Sequence, residues 1–115
     1  MKFDYTKIRE MPIIVRAFCL LHGGWVVGGA ARWMVGKQDT LKDWDIIVPM
    51  RLWQDAQHLI PYGTLSNTFG GFKVVEDGVE IDVWPEDLDH FFATVTKGDE
   101  VIAVQPSKQL VVYSV

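Results

Sequence analysis

Apolar positions recur at helical spacing from the start of the chain. Ile8, Met11, Ile14, Val15, Phe18, Cys19 and Leu21 fall mostly three or four apart across residues 5–21. Pro12 interrupts the run, so the pattern predicts a short first turn, then a helix over about 12–21 that Gly23-Gly24 stops. The period then changes. Trp25–Gly28 reads as a short apolar strand, Ala30–Val35 as a short helix closed by Gly36, and Lys37–Lys42 as a polar loop. Asp43–Val48 reads as a strand ended by Pro49. Leu52, Ala56, Leu59 and Ile60 make one face of a helix over about 50–60, ended by Pro61. Phe72–Val75 and Val79–Trp84 flank Glu76-Asp77-Gly78, a hairpin signal. Pro85-Glu86-Asp87-Leu88 has the form of a helix start, with proline in the first turn and acids near the positive end. Val101–Val104 reads as a strand, and Leu110–Tyr113 as strand or helix.

The order α-β-α-β-α-β-β-α-(β) predicts an α/β (α+β) domain over residues 1–115, a small mixed sheet covered by helices. The hairpin means that the sheet is not wholly parallel. A length of 115 residues suits one domain with its own core. Hydrophobic content of 49% against 23% charged residues is that of a packed protein and argues against disorder. The formal net charge of −4 removes bulk attraction to phosphate, so long RNA or DNA is disfavoured as a partner. Charges and glycines break every apolar run before it reaches a membrane span, and the N-terminus lacks a signal-peptide pattern, so no membrane partner is expected. The single Cys19 excludes an internal disulfide and sits in an apolar run, which predicts a buried thiol and a reducing, cytoplasmic setting.

Candidate chemistry lies in the acids. Asp43 and Asp45 are two apart, and on a strand such residues share a face, with Trp44 turned the other way into the core. Their mutual repulsion is on the order of 4 kcal/mol at about 4 Å and an effective dielectric of 20, tolerable when solvated and favourable around a divalent cation. Asp82 alternates with the apolar Ile81 and Val83 and shares its face with Glu80. If the two acidic strands are neighbours, Asp43, Asp45 and Asp82 meet as candidate catalytic and metal-binding groups. Magnesium is the cofactor this implies, since it takes oxygen ligands and needs few protein carboxylates beside substrate phosphates. Asp82 is then the candidate to help deprotonate an acceptor hydroxyl. An isolated Asp-X-Asp usually marks only a solvated edge, and the other acids, among them Glu76, Glu86, Asp87, Asp99 and Glu100, are expected to be solvated surface.

Gly28-Gly29 ends one strand and opens a helix, where glycine permits a tight turn and close approach to phosphate oxygens. No third spaced glycine and no Gly-Lys-Ser/Thr follows, so neither the dinucleotide fingerprint nor the P-loop applies. Arg32, Lys42 and Lys73 are candidate phosphate contacts, with a surface ion pair as the plain alternative for Arg32. No Ser-His-Asp set and no Cys/His zinc spacing is present.

The run Gly28-Gly29-Ala30-Ala31-Arg32, then Gly36-Lys37, then Lys42-Asp43-Trp44-Asp45-Ile46-Ile47-Val48 resembles the head of the nucleotidyltransferase (polymerase beta-like) superfamily, and most of all the CCA-adding and poly(A) polymerase pattern. Phe69-Gly70-Gly71-Phe72-Lys73 leading to Val79-Glu80-Ile81-Asp82-Val83-Trp84 resembles the strand that bears the superfamily's third carboxylate. The likeness covers roughly residues 23–90. It implies that Asp43 and Asp45 are the metal-binding pair, Asp82 the third acid, Gly28 and Gly29 the triphosphate turn, and Arg32 the motif's arginine. Trp33 stands where the family motif has Asp. The helical regions that read the base and hold tRNA in CCA-adding enzymes have no counterpart here, so template-like selection and tRNA binding are not carried over.

The function expected is a minimal nucleotidyltransferase. It would move a nucleoside monophosphate from an NTP to a hydroxyl on protein, RNA or a small molecule, with magnesium and release of pyrophosphate. A protein partner or homodimer is expected to supply the acceptor, as in a toxin–antitoxin minimal nucleotidyltransferase or a phage or plasmid accessory enzyme. The competing expectation is an inactive module of the same fold that acts by contact with a protein partner. A weaker third expectation is a structural α/β protein with an acidic edge.

Overall fold

The computed structural model describes residues 5–94 and 100–114. Their architecture is α+β: helices packed on a seven-stranded mixed sheet of order β3-β4-β5-β2-β1-β6-β7. The strands are β1 Trp25–Val27, β2 Trp44–Pro49, β3 Leu65–Ser66, β4 Phe72–Glu76, β5 Val79–Glu86, β6 Val101–Gln105 and β7 Leu110–Tyr113. The α-helices are α1 Ile13–His22, α2 Gly28–Met34, α3 Trp53–Ala56 and α4 Leu88–Ala93. Only β2 and β5 run parallel; every other neighbouring pair is antiparallel.

Chain chemistry explains most of these boundaries. Pro12 precedes α1, following a 3₁₀ turn over Tyr5–Glu10, and Gly23 closes the helix in the left-handed conformation at φ 63°. The predicted helix over 50–60 is instead a single α-turn, α3, between two 3₁₀ pieces. Asp77 and Gly78 turn the β4–β5 hairpin with φ of 51° and 78°, the positive pair that a two-residue turn matched to strand twist requires. Pro85 does not start a helix. It continues β5 opposite Val48, beyond the last residue paired with β4, where a missing N–H costs no ladder bond on that side. Asp87 then caps α4, its carboxylate accepting from the His90 N–H at 3.3 Å. Leu110–Tyr113 is a strand, and β3 had no counterpart in the expected elements.

One face of the sheet holds the main core. Val26, Trp44, Ile46, Ile81 and Val83 meet Val15 and Phe18 of α1 and Ala30, Ala31 and Met34 of α2. Trp33 meets Trp44 edge to face at 6.1 Å, and both indoles are core, as the sequence predicts for Trp44. Cys19 is free and buried, and that burial pushes its thiol pKa up to about 12, so it is inert. The opposite face is covered only in part. Trp25, Val27, Ile47 and Ala103 pack with Leu88, Phe91 and Phe92 of α4, whereas Lys73, Val75 and Glu80 on that face are exposed among the described residues. No helix among the described residues is long and apolar enough to cross a membrane.

Gly71 pins the segment before β4 onto β5. A Cβ at this position would overlap the Val83 carbonyl oxygen and lie 2.7 Å from Trp84 Cα, and neither backbone atom can swing aside. Gly71→Ala is expected to cost about 3 kcal/mol of stability, measured by urea unfolding. An unchanged midpoint would show that the close approach is not a constraint.

Candidate active site

The parallel pairing of β2 with β5 decides the site. Trp44 lies opposite Ile81, Asp45 opposite Asp82 and Ile46 opposite Val83. The apolar partners are buried in the main core, so the pleat turns Asp45 and Asp82 together to the other, partly open face. The same row continues to Lys73 on β4 and to Val27 on β1. Two carboxylates and one ammonium-bearing side chain therefore stand in line across three strands, next to the apolar patch under α4.

Asp45 is half-buried, and its carboxyl pKa is raised above the ordinary value. Burial contributes most, then the charges of Asp82 and Asp43; Lys73 pulls the other way. Asp43 does not share the strand with Asp45. β2 begins at Trp44, and Asp43 lies exposed in the loop before it, so the same-face argument from strand spacing does not apply. It nonetheless borders the same hollow as Asp45 and acts on its charge.

The donor chemistry suits a hard divalent cation. Asp45 and Asp82 offer carboxylate oxygens from adjacent register positions, and burial with the charges of Asp82 and Asp43 outweighs the pull of Lys73 on Asp45. Among the described residues no three His, Cys, Asp or Glu side chains gather closely enough to hold an ion by themselves. A carboxylate pair without a closed protein cage fits magnesium, which keeps water and substrate phosphate in its shell.

Gly28, the first residue of α2, stands against Asp45. It has φ 67°, and a Cβ there would stand 3.1 Å from Asp45 Oδ2, so the left-handed turn and the bare Cα both serve the carboxylate. Gly29 and Asp43 share with Arg32, Gln38, Lys42 and Asp45 a hollow of about 350 Å³. Arg32 Nη1 is held by Glu100 at 2.8 Å, and its Nε donates to Gln38 Oε1 at 3.4 Å. The ion-pair alternative for Arg32 is thus realised, and Glu100 is not idle surface. Lys42 is exposed. Lys73 lies 3.6 Å from Glu80. Asp99 falls outside the described residues. Glu86 accepts from Trp84 Nε1 at 3.0 Å.

A second hollow, of about 500 Å³, opens beside Asp82 and includes Asn67, Phe69 and Lys73. Asn67 is its organiser, and sequence reasoning passed over it. Its Nδ2 donates to Asp82 Oδ1 at 3.1 Å and to the Phe72 carbonyl at 3.0 Å, while its Oδ1 accepts from the N–H groups of Phe69 and Gly71 at 3.0 and 2.9 Å. A lone Asn ahead of Gly70-Gly71 signals a side-chain-closed turn; nothing in the sequence ties it to Asp82. Gln38, over Gly29, is likewise unmarked, being one polar residue in a polar loop. A hollow of about 550 Å³ at the far ends of β2 and β5, beside Pro49 and Glu86, lies away from the acid pair.

The raised pKa of Asp45 has a consequence for stability. The folded carboxyl holds its proton more tightly than the unfolded one, so its ionisation opposes folding at neutral pH and stops doing so as pH falls through the raised value. In metal-free buffer Asp45→Asn is expected to raise the thermal midpoint at pH 7, with the gap to wild type closing as pH drops into the carboxylate range. A lower midpoint at pH 7 would contradict the electrostatics described. Compared with known proteins, the chain matches no family model, no curated protein and no solved structure.

Proposed function

We propose that this protein is a magnesium-dependent nucleotidyltransferase that moves a nucleoside monophosphate from an NTP to a hydroxyl acceptor and releases pyrophosphate. The observation that carries this reading is the register of Asp45 with Asp82 on parallel strands, open to one face and flanked by the Gly28-Gly29 turn. Phosphoryl-type transfer needs little covalent participation from the protein and depends on positioning and charge. Magnesium, held by Asp45 and Asp82 with Asp43 nearby, would supply Lewis-acid compensation of phosphate charge. Asp45 and Asp82 contribute the fixed negative edge against which the substrate's phosphates are neutralised. Asp82, on the side away from the glycine turn, would take the proton of an acceptor hydroxyl. Asn67 donates to one Asp82 oxygen and so orients the other. Lys42 and Arg32 line the hollow on the glycine side and suit a polyphosphate there.

The engagement of Arg32 by Glu100 favours a second reading, in which the fold binds nucleotide without turnover and acts on a protein partner. Pyrophosphate release separates the two. The protein is incubated with magnesium and each of the four NTPs, with a cell extract as the source of hydroxyl acceptors. Wild type is expected to release pyrophosphate, and Asp43→Ala/Asp45→Ala to release none. Asp82→Asn is expected to slow release by about 10²- to 10⁴-fold, and Asn67→Ala by about 10- to 100-fold. NTP binding without release from any of the four would support the module, and equal release by wild type and the double variant would refute the assigned acids.

A further inference from the structure

An exposed aromatic ring beside the acid pair has no role in folding that matches its exposure. Phe69 is 56% exposed, yet its ring is held. It stacks on Trp84 with centroids 4.7 Å apart and planes 29° from parallel. Its backbone N–H donates to Asn67 Oδ1, and Gly71 fixes the same turn against β5. Trp84 is fixed in turn by its N–H bond to Glu86. One face of the Phe69 ring therefore rests on the indole, and the ring borders a hollow of about 500 Å³, a size that admits a nucleoside. Its neighbours there include Ser66 and Thr68, whose neutral hydroxyls are able to hydrogen-bond.

The geometry points to a nucleobase platform: Phe69, backed by Trp84, stacks the base of the nucleotide whose phosphates meet Asp45 and Asp82. This rests on the transfer reading above and adds where the base sits. The direction follows from in-line displacement, in which leaving and attacking groups lie on opposite sides of the reacting phosphorus. With the leaving polyphosphate in the hollow by Gly29, where Arg32 and Lys42 stand beside Asp43 and Asp45, that axis crosses the strands from the glycine turn over Asp45 and Asp82 toward Lys73. The ribose must leave the phosphorus to the side of this axis, which is along a strand. Trp84 is two residues along β5 from Asp82 on the same face, about 6.6 Å, a span on the scale of the sugar between phosphate and base. Arg32 and Lys42 border the first hollow together with Asp43 and Asp45, whereas Lys73, the lysine of the second, faces Glu80 and Asp82.

Calorimetric titration of the full chain with ATP and with inorganic tripolyphosphate, both with magnesium, tests this. Wild type is expected to bind ATP more tightly than tripolyphosphate. Phe69→Ala is expected to weaken ATP binding by roughly 5- to 150-fold, the range of stacking losses when an aromatic side chain is replaced by alanine, and to leave tripolyphosphate binding unchanged. Phe69→Trp is expected to restore ATP affinity, and Phe69→Leu, which keeps an apolar cover on Trp84 without a flat ring, is expected to behave as the alanine variant. Thermal unfolding of each variant checks the fold. Equal ATP affinity in wild type and Phe69→Ala, or equal loss for both ligands, overturns the platform while leaving the phosphate site intact. ATP bound no more tightly than tripolyphosphate by wild type does the same. Absence of binding by either ligand overturns the platform and the transferase reading together.

Discussion

Two like charges held side by side at a half-buried sheet face are the constraint on which the site depends. Hydrophobic burial sets them there. Trp44 and Ile46 on β2, and Ile81 and Val83 on β5, belong to the main core, and once they are buried the pleat leaves Asp45 and Asp82 no other side. At the strand spacing of about 4.8 Å and an effective dielectric of 20, two full charges repel by roughly 3.5 kcal/mol. A shift of one residue in register would relieve this repulsion but expose the core row, so the core wins. The result is a fixed acidic pair, destabilising alone and suited to a cation.

The surroundings are built to the same end. Gly28 leaves room for an Asp45 oxygen, Asn67 takes one Asp82 oxygen, and Lys73 stands in the same row. α4 seals the apolar end of this face and leaves the acidic end open. The pair thus borders two hollows, one with Arg32, Lys42, Asp43 and a glycine, the other with Lys73, neutral polar groups and an exposed ring.

Much of this was legible because it is written at short range. Alternation around Asp82, the Asp77-Gly78 turn, the glycine stop after His22 and the burial of Trp44 each follow from neighbours in sequence. What escaped depends on contacts across the fold. Asn67 matters through a bond to a residue fifteen positions away, and Glu100, the partner in the Arg32 ion pair, lies 68 positions from it. Pro85 misled because its usual place at a helix start was overridden by pairing with β2 where β4 has ended. Asp43 misled for a smaller reason: β2 begins one residue later than the acidic pattern suggested.

Paramagnetic broadening by manganese, a stand-in for magnesium, tests the central claim at the level of single residues. In nuclear magnetic resonance spectra of the labelled protein, substoichiometric manganese should broaden the amides of residues 44–46 and 81–83 most strongly, and the Asp45→Asn protein should lose that pattern. Broadening centred elsewhere, or left unchanged by the substitution, would contradict a cation site formed by the juxtaposed strands.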